Sequence, residues 1–241
     1  TAGENLLALY ANGLKLNNNK EIIIKKGKNN VAAYITGNST FRNKGKIQLG
    51  ESGNNGDFKS GIGIYVVDGE AINESGKTID IYDFENTASG GSLSVGMLAN
   101  AASGKTAKVT NAGTINANGE VIGMVVEDNS EGLNDTGAEI VAKDNENSNT
   151  KSIGAYVKGA NAKFENKGKI YLDVMEVAGI EVQPDTWNNP QVTGINGSTG
   201  LISGNKSLQV ALLFTDEGTG SSTTNKHTLR NEGEISLSGN I

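Results

Sequence analysis

The chain has 241 residues, of which 33 are glycine, 2 are proline and none is cysteine, and its formal net charge is -6. The lack of cysteine excludes a disulfide scaffold, thiolate metal sites and a cysteine nucleophile, and the acidic balance argues against a nucleic-acid surface, which needs a concentrated basic face. Hydrophobic residues make up only 36% of the chain, yet they fall in short regular clusters, and such regularity is untypical of disorder.

The first recurring element is a short apolar segment that begins at residue 7. Its copies are LALYA at 7–11, VAAYI at 31–35, IGIYV at 62–66, VGMLA at 95–99, IGMVV at 122–126, IGAYV at 153–157, AGIEV at 178–182 and VALLF at 210–214. The second residue of each copy is small: Ala8, Ala32, Gly63, Gly96, Gly123, Gly154, Gly179 and Ala211. We interpret this small residue as leaving room where a strand bends or where a bulky inward neighbour packs.

The second recurring element is FRNKGKIQL at 41–49, which returns as FENKGKIYL at 164–172 and LRNEGEISL at 229–237. Its glycine recurs as Gly45, Gly76, Gly113, Gly137, Gly168, Gly200 and Gly233. An asparagine precedes each glycine, at Asn43, Asn73, Asn111, Asn134, Asn166, Asn196 and Asn231. An isoleucine follows each glycine, at Ile47, Ile79, Ile115, Ile140, Ile170, Ile202 and Ile235. Four residues before the glycine, the apolar positions are Phe41, Ile72, Val109, Leu133, Phe164 and Leu229.

Each unit therefore carries three short apolar segments, and the unit recurs about every 30 residues, as solenoid repeats do. The Ile-x-Leu and Ile-x-Ile segments alternate with a period of two, which is typical of strands, and no useful amphipathic helical pattern is visible. The sequence predicts an all-β, single-stranded right-handed parallel β-helix (solenoid) of about eight rungs, with three short strands per rung. A rung spacing of about 4.8 Å would make a rod on the order of 40 Å long.

The asparagine and glycine of the second element are predicted to build the corner between the second and third strands of a rung. Asparagine tolerates the left-handed backbone region and glycine visits it freely, so both residues suit a sharp turn. Stacked rungs would also bring the asparagine amides into a column, where they hydrogen-bond from rung to rung. We therefore interpret these residues as a structural turn column rather than a repeated ligand site.

Five longer segments interrupt the repeat, at 50–60, 83–92, 143–151, 183–191 and 215–227. Function in repeat scaffolds tends to lie in such excursions, because the strands are committed to packing.

The 183–191 segment holds both prolines of the chain and its only tryptophan, Trp187. Two prolines stiffen a loop, and a presented tryptophan is a typical contact for a protein or a sugar ring. The candidate binding residues are therefore Trp187, Asp185, Asn188 and Asn189. The alternative is that Trp187 folds back to cover an apolar part of the rod.

No catalytic residue, metal site or cofactor is predicted. The polar run at 144–146 is followed by neither the glycine nor the final glutamate of a calcium loop, and nothing in the sequence orients His227 as a catalytic base. A β-helical polysaccharide lyase or hydrolase would need clustered carboxylates on adjacent rungs. The nearest such cluster is Asp80 with Asp83, which Asp57 could approach.

The Asn-x-Gly-x-Ile rungs, the GIYV-type strands and the lack of cysteine resemble the passenger domains of Gram-negative type V autotransporters. The composition, rich in lysine and asparagine and poor in arginine, is most similar to that of large fusobacterial outer-membrane adhesins. The resemblance extends from about residue 6 to residue 241. It implies export, display on the extracellular side of the outer membrane and a role in virulence.

This resemblance implies binding to a host-cell surface protein or glycan, or to partner bacteria. We expect residues 1–241 to form one β-helix segment excised from a longer passenger domain, continuous with further rungs and with a C-terminal β-barrel. We expect no nucleic-acid binding by this segment, because its charge balance is acidic. We also expect no membrane insertion, because no apolar run approaches about 18 residues. Two other functions remain open, a non-binding structural stalk and a polysaccharide lyase or hydrolase.

Overall fold

The computed structural model describes residues 3–53, 57–84, 93–143, 152–175, 177–184, 190–215 and 227–239. Over these residues the molecule is all-β, and three parallel sheets of 8 strands each form the sides of a three-faced β-helix of eight rungs. The predicted fold class is therefore confirmed, and right-handed winding is the hand expected of such parallel connections. The described residues contain no helix that is long and apolar enough to cross a membrane.

The strands follow one another in the order face 1, face 2, face 3 within each rung. Face 1 contains β2 (Leu7–Asn12), β6 (Val31–Thr36), β10 (Ile62–Val66), β13 (Ser94–Asn100), β16 (Val121–Glu127), β19 (Ile153–Lys158), β22 (Val177–Gln183) and β25 (Gln209–Phe214). Face 2 contains β3 (Lys15–Asn18), β7 (Ser39–Asn43), β11 (Gly69–Asn73), β14 (Ala107–Asn111), β17 (Ser130–Asn134), β20 (Lys163–Asn166), β23 (Thr193–Asn196) and β26 (Thr228–Asn231). Face 3 contains β4 (Glu21–Ile24), β8 (Lys46–Leu49), β12 (Thr78–Asp83), β15 (Thr114–Gly119), β18 (Glu139–Lys143), β21 (Lys169–Asp173), β24 (Leu201–Gly204) and β27 (Glu234–Leu237). A small additional sheet contains β1 (Gly3–Glu4), β5 (Gly27–Lys28) and β9 (Phe58–Lys59).

The recurring isoleucines form one inward column of face 3. The in-register pairs run from Ile22 through Ile47, Ile79, Ile115, Ile140, Ile170 and Ile202 to Ile235. The six from Ile47 to Ile202 are fully buried. Ile22 belongs to this column although its rung lacks the sequence motif, because Lys20 stands where Gly45 stands in the next rung.

Every described strand of face 2 ends at an asparagine, and these asparagines are joined into a ladder. Each side-chain amide nitrogen donates to the side-chain oxygen of the next rung at 2.7–2.9 Å, in the order Asn18, Asn43, Asn73, Asn111, Asn134, Asn166, Asn196, Asn231. The same nitrogens also approach a main-chain carbonyl of face 3, as Asn111 does at Glu139 (3.1 Å). The ladder therefore ties the corner between faces 2 and 3 along the rod.

The backbone conformation predicted for this corner is wrong at most of its positions. None of the ladder asparagines has a positive φ, nor do Gly45, Gly113, Gly168 and Gly233. These four glycines are required instead by close approach. A Cβ on Gly168 would lie 2.4 Å from the carbonyl oxygen of Ala138 in the rung before it.

Gly76 and Gly137 belong to a second, longer form of the corner. They have φ values of 70° and 81°, and a Cβ on either would meet nothing within 4 Å. Here four residues rather than two separate the strands, and the glycine comes three residues after the ladder asparagine instead of two. The position four residues before the glycine is therefore one residue later in the strand than the inward position. Ile72 and Leu133 consequently face outward, and Ala71 and Gly132 take the inward position.

The small residues of face 1 are explained by the isoleucine column. A Cβ on Gly123 would lie 2.4 Å from Cγ2 of Ile140 and 2.6 Å from the carbonyl oxygen of Gly154. Gly63, Gly96, Gly154 and Gly179 repeat this arrangement with Ile79, Ile115, Ile170 and Ile202 respectively. The small residue therefore leaves room for a bulky inward neighbour, as predicted.

Candidate binding surface

In the chain, the longer segments fall at the two corners that border face 1. The segments 50–60, 83–92 and 143–151 connect face 3 to face 1, and the segments 183–191 and 215–227 connect face 1 to face 2. At the asparagine corner the described connections have two to four residues. Face 1 is therefore the side of the rod that is bordered by variable segments along both of its edges.

The four predicted binding residues, Trp187, Asp185, Asn188 and Asn189, lie outside the described residues. Of the prolines that flank them, Pro184 directly follows β22 and is buried, and Pro190 is exposed. The 50–60 segment departs from the prediction, because part of it is not an excursion. Phe58 lies in β9 with 2% of its surface exposed and packs into the core.

The outer surface of face 1 carries a second apolar cluster, separate from the core. Val95 and Ile122 (each 8% exposed) and Val125 (4% exposed) form its centre. Leu93, Leu98, Ile62, Ile153 and Tyr156 pack around them. The register divides most of these residues into two outward columns that run along the rod. One contains Ile62, Val95, Ile122 and Ile153, and the other contains Tyr65, Leu98, Val125 and Tyr156.

A break in the strand alternation causes this arrangement. Residues two apart in a regular strand point to the same side. Ile62 packs in the outer cluster, however, whereas Ile64 packs in the core, and Gly63 lies between them. The glycine that makes room for the isoleucine column is therefore also the residue at which the strand turns one apolar side chain outward.

Between the two columns lies a depression of about 430 Å³, which we call the face 1 groove. Its walls include Val95, Leu98, Ile122, Val125 and Tyr156. A volume of this size lies within the range of ligand-binding clefts, which are mostly apolar with a few polar groups. A second depression of about 320 Å³ follows it along the rod and shares Ile153 and Glu181 with it.

Two carboxylates, Glu127 and Glu181, join the apolar residues in the lining of the groove, and polar neighbours hold them in place. Asn100 Nδ2 donates to Glu127 Oε2 at 2.6 Å, and the hydroxyl of Thr215 donates to Glu181 Oε1 at 2.9 Å. The hydroxyl of Tyr156 donates to Gln183 Oε1. Glu181 occupies the column of Tyr65 and Val125, so that a carboxylate stands where the preceding rungs present aromatic or aliphatic groups.

Towards the first rungs this column consists of tyrosines. The rings of Tyr10 and Tyr34 stack with centroids 6.0 Å apart, and Tyr34 meets Tyr65 edge-on at 5.2 Å. Burial raises the pKa of Tyr65, and the neighbouring Tyr34 adds to this rise. The aromatic stretch therefore extends the apolar surface of face 1 beyond the groove.

The carboxylates considered for glycoside chemistry do not converge. Asp80 faces outward, 3.2 Å from Lys46 Nζ, and accepts a hydrogen bond from Asn116. Asp83 is three residues later on the same strand and therefore lies on the opposite side, where it accepts hydrogen bonds from Ser94 Oγ (2.6 Å) and Ser60 N (3.1 Å). The third carboxylate, Asp57, forms an ion pair with a lysine on the surface.

Two further features bear on chemistry. His227 is half-buried, and its Nδ1 accepts a hydrogen bond from the main-chain nitrogen of Val192 at 3.3 Å. Within the described part of the chain, no group of three or more His, Asp or Glu side chains could hold a metal ion.

The fold and the groove together define a β-helical rod with an apolar outer face. Comparison with protein-family models, with curated proteins and with solved structures gives no match.

Proposed function

We propose that this chain is a surface-exposed passenger segment of a Gram-negative autotransporter adhesin, a virulence factor on the extracellular side of the outer membrane. The rod binds a host-cell surface protein or glycan, or a partner bacterium, and face 1 is its binding face. In this role the rest of the fold is scaffold.

One observation carries the proposal: the outer apolar groove lies on the same face that is bordered by all the long segments. Apolar surface that is rimmed by polar groups is typical of protein-interaction and ligand-binding sites. A pure scaffold would have no need for the same outward apolar columns over several rungs. The resemblance of the rungs to autotransporter passengers adds the cell-surface location.

The alternative of a non-binding stalk makes the opposite prediction for the same surface. A stalk needs the core and the asparagine ladder, but it has no use for the groove. The alternative of a polysaccharide lyase or hydrolase has less support, because Asp80 and Asp83 point to opposite sides of β12.

The test is a binding titration of the fluorescently labelled chain on host epithelial cells, on partner bacteria and on a glycan array. We expect saturable binding in at least one of these. A stalk gives no binding in any of them while the far-ultraviolet circular dichroism spectrum stays that of a folded β-protein. The variant Trp187→Ala measures how much the 183–191 segment contributes to binding. Full binding by this variant excludes Trp187 as a contact.

A further inference from the structure

We infer that the face 1 groove receives an amphipathic α-helix of a partner protein, which lies along the rod and brings a lysine or arginine to Glu181. This inference rests on the proposed function and specifies the class of partner.

The strands of face 1 do not suit an extended peptide as the partner. The face 1 strands between the end rungs pair with a neighbour on both sides, as β13 does with β10 and β16. They therefore offer no free edge to a partner strand, and peptides bind to sheets mainly by adding a strand at such an edge. An extended chain laid across the apolar groove would bury its own N–H and C=O groups without partners, which is costly. A helix satisfies these groups internally.

The spacing of the rungs also favours a helix. The groove repeats with the rungs, at about 4.8 Å. A helix presents a turn of side chains every 5.4 Å along its axis, about 0.6 Å more than the rung spacing, so four turns displace it by only about half a rung. Side chains on one side of an extended strand repeat at about 6.7 Å, and they would fall out of step after one rung.

The charge at the groove favours a basic residue on the partner helix. Glu181 lines both depressions of face 1 and is the one charged side chain among the described residues that they share. Glu181 is half-buried. Its Oε1 accepts the hydrogen bond from Thr215, so its Oε2 can accept one from another donor. A carboxylate among apolar walls favours a partner cation, and it disfavours an acidic residue in the same place. The partner helix therefore carries an apolar stripe with a basic residue beside it.

The area of the two outward columns fits one helix. The two columns from β6 to β22 span about 24 Å by about 10 Å, or on the order of 240 Å². A stable dimer of this chain would need about 800 Å² from each partner. The outer apolar surface is therefore too small for a second rod, and it is suited to one helix of about four turns.

The experiment uses fluorescein-labelled helical peptides of about 18 residues, long enough to span the groove. The striped peptide has leucines at i, i+3, i+4 and i+7 with lysines beside the stripe. The first control peptide has the same composition in scrambled order, and the second has glutamates in place of the lysines. Binding to the full chain is measured by fluorescence anisotropy.

The variants of the chain are paired with matched controls. Glu181→Gln removes the carboxylate that both depressions share and leaves Glu127 in the groove, and Glu139→Gln makes the same change on the outer surface of face 3. Leu98→Lys brings a charge into the groove, and Leu133→Lys does so on the outer surface of face 2. Each variant is checked by its circular dichroism spectrum and its melting temperature.

We expect the striped peptide to bind at least about tenfold tighter than either control peptide. Glu181→Gln should weaken this binding about fivefold or more and Leu98→Lys should abolish it, while both control variants bind as the parent does. Equal binding of the striped and scrambled peptides overturns the inference, and so does unchanged binding by Glu181→Gln. A dimer in light scattering that Leu98→Lys dissociates also overturns it, because the groove would then be covered by a second copy.

The outcome is separable from that of the proposed function. If the chain binds cells but the striped peptide neither binds nor competes, the helix inference fails and the adhesin proposal stands. If the striped peptide binds as expected while no cell, bacterium or glycan does, the adhesin proposal fails and the groove still recognises helices.

Discussion

At the scale of single residues, the asparagine ladder is held by side-chain amides that are both donors and acceptors. Asn111 is fully buried, accepts from Asn73 at 2.9 Å and donates to Asn134 at 2.8 Å. Removing one amide therefore leaves a donor in one rung and an acceptor in the next without a partner. Each buried unsatisfied group costs about 1–3 kcal/mol.

We expect Asn111→Ala to lower the free energy of unfolding by about 2–4 kcal/mol, because two neighbours lose a hydrogen bond and a small cavity is left. The measurement is the urea midpoint followed by circular dichroism. Asn17→Ala is the control, since Asn17 is exposed on the same face. Equal midpoints for the two variants would mean that the ladder contributes nothing.

A second prediction separates the two forms of the corner. In Gly168→Ala the new Cβ meets the carbonyl oxygens of Ala138 at 2.4 Å and Asp135 at 2.5 Å, and backbone cannot move aside easily. We expect a loss of about 3 kcal/mol, at the high end for overpacking.

In Gly137→Ala the Cβ enters open space, and only the left-handed backbone opposes it, which costs about 1–2 kcal/mol. Denaturation midpoints of the two variants give the comparison. The opposite order of stability would contradict the close approach as the reason for glycine at position 168.

At the scale of strands, face 2 is packed by pairing large inward residues with small ones. Phe164 is inserted between Gly132 and Gly194 in the same column. A Cβ on Gly132 would lie 2.4 Å from Cγ2 of Val126 and 3.1 Å from Cδ2 of Phe164. The glycine is therefore part of the fit between faces 1 and 2.

This fit predicts a compensating pair of substitutions. Gly132→Ala overpacks the core and Val126→Ala leaves a cavity, so each alone should cost about 1–3 kcal/mol. Together they conserve volume, and we expect the double variant to be at least about 1 kcal/mol more stable than the sum of the single changes predicts. A double-mutant cycle on unfolding free energies measures this coupling, and additive losses would exclude the contact.

The strands were predictable where the sequence repeats a residue type with a fixed purpose. The eight apolar segments of face 1 follow from the recurrence of a short apolar run with a small second residue, and the isoleucine column follows from alternation and from the recurrence of Ile after the glycine. The offset at Ile72 and Leu133 arose because the sequence does not reveal which corners have four residues. In each described rung the ladder asparagine, not the glycine, is the reliable anchor.

The face 1 groove was missed for a physical reason. Strand alternation predicts that Ile62 and Ile64 share one side, and only the turn at Gly63 separates them. One signal was present in the sequence: tyrosine recurs in the same column at Tyr10, Tyr34, Tyr65 and Tyr156. An aromatic residue at a position that should be solvated is a reason to look for an interaction surface.

At the scale of the whole molecule, the rod combines a constant corner with two variable ones. The ladder fixes the asparagine corner, and all the long segments fall in the chain between a strand of face 1 and a strand of a neighbouring face. Packing can be read from sequence, since it repeats from rung to rung. The identity of the partner cannot be read from sequence in the same way, because recognition depends on residues that differ between rungs, such as Glu181 among apolar neighbours.

The central claim is that the chain binds cells through the groove of face 1. The most direct test compares cell binding by the parent chain, Leu98→Lys and Leu133→Lys, three chains that should share one fold. We predict that Leu98→Lys lowers the apparent affinity at least about tenfold, as central contacts do in interfaces, and that Leu133→Lys binds like the parent. Equal binding by all three folded chains would contradict the account.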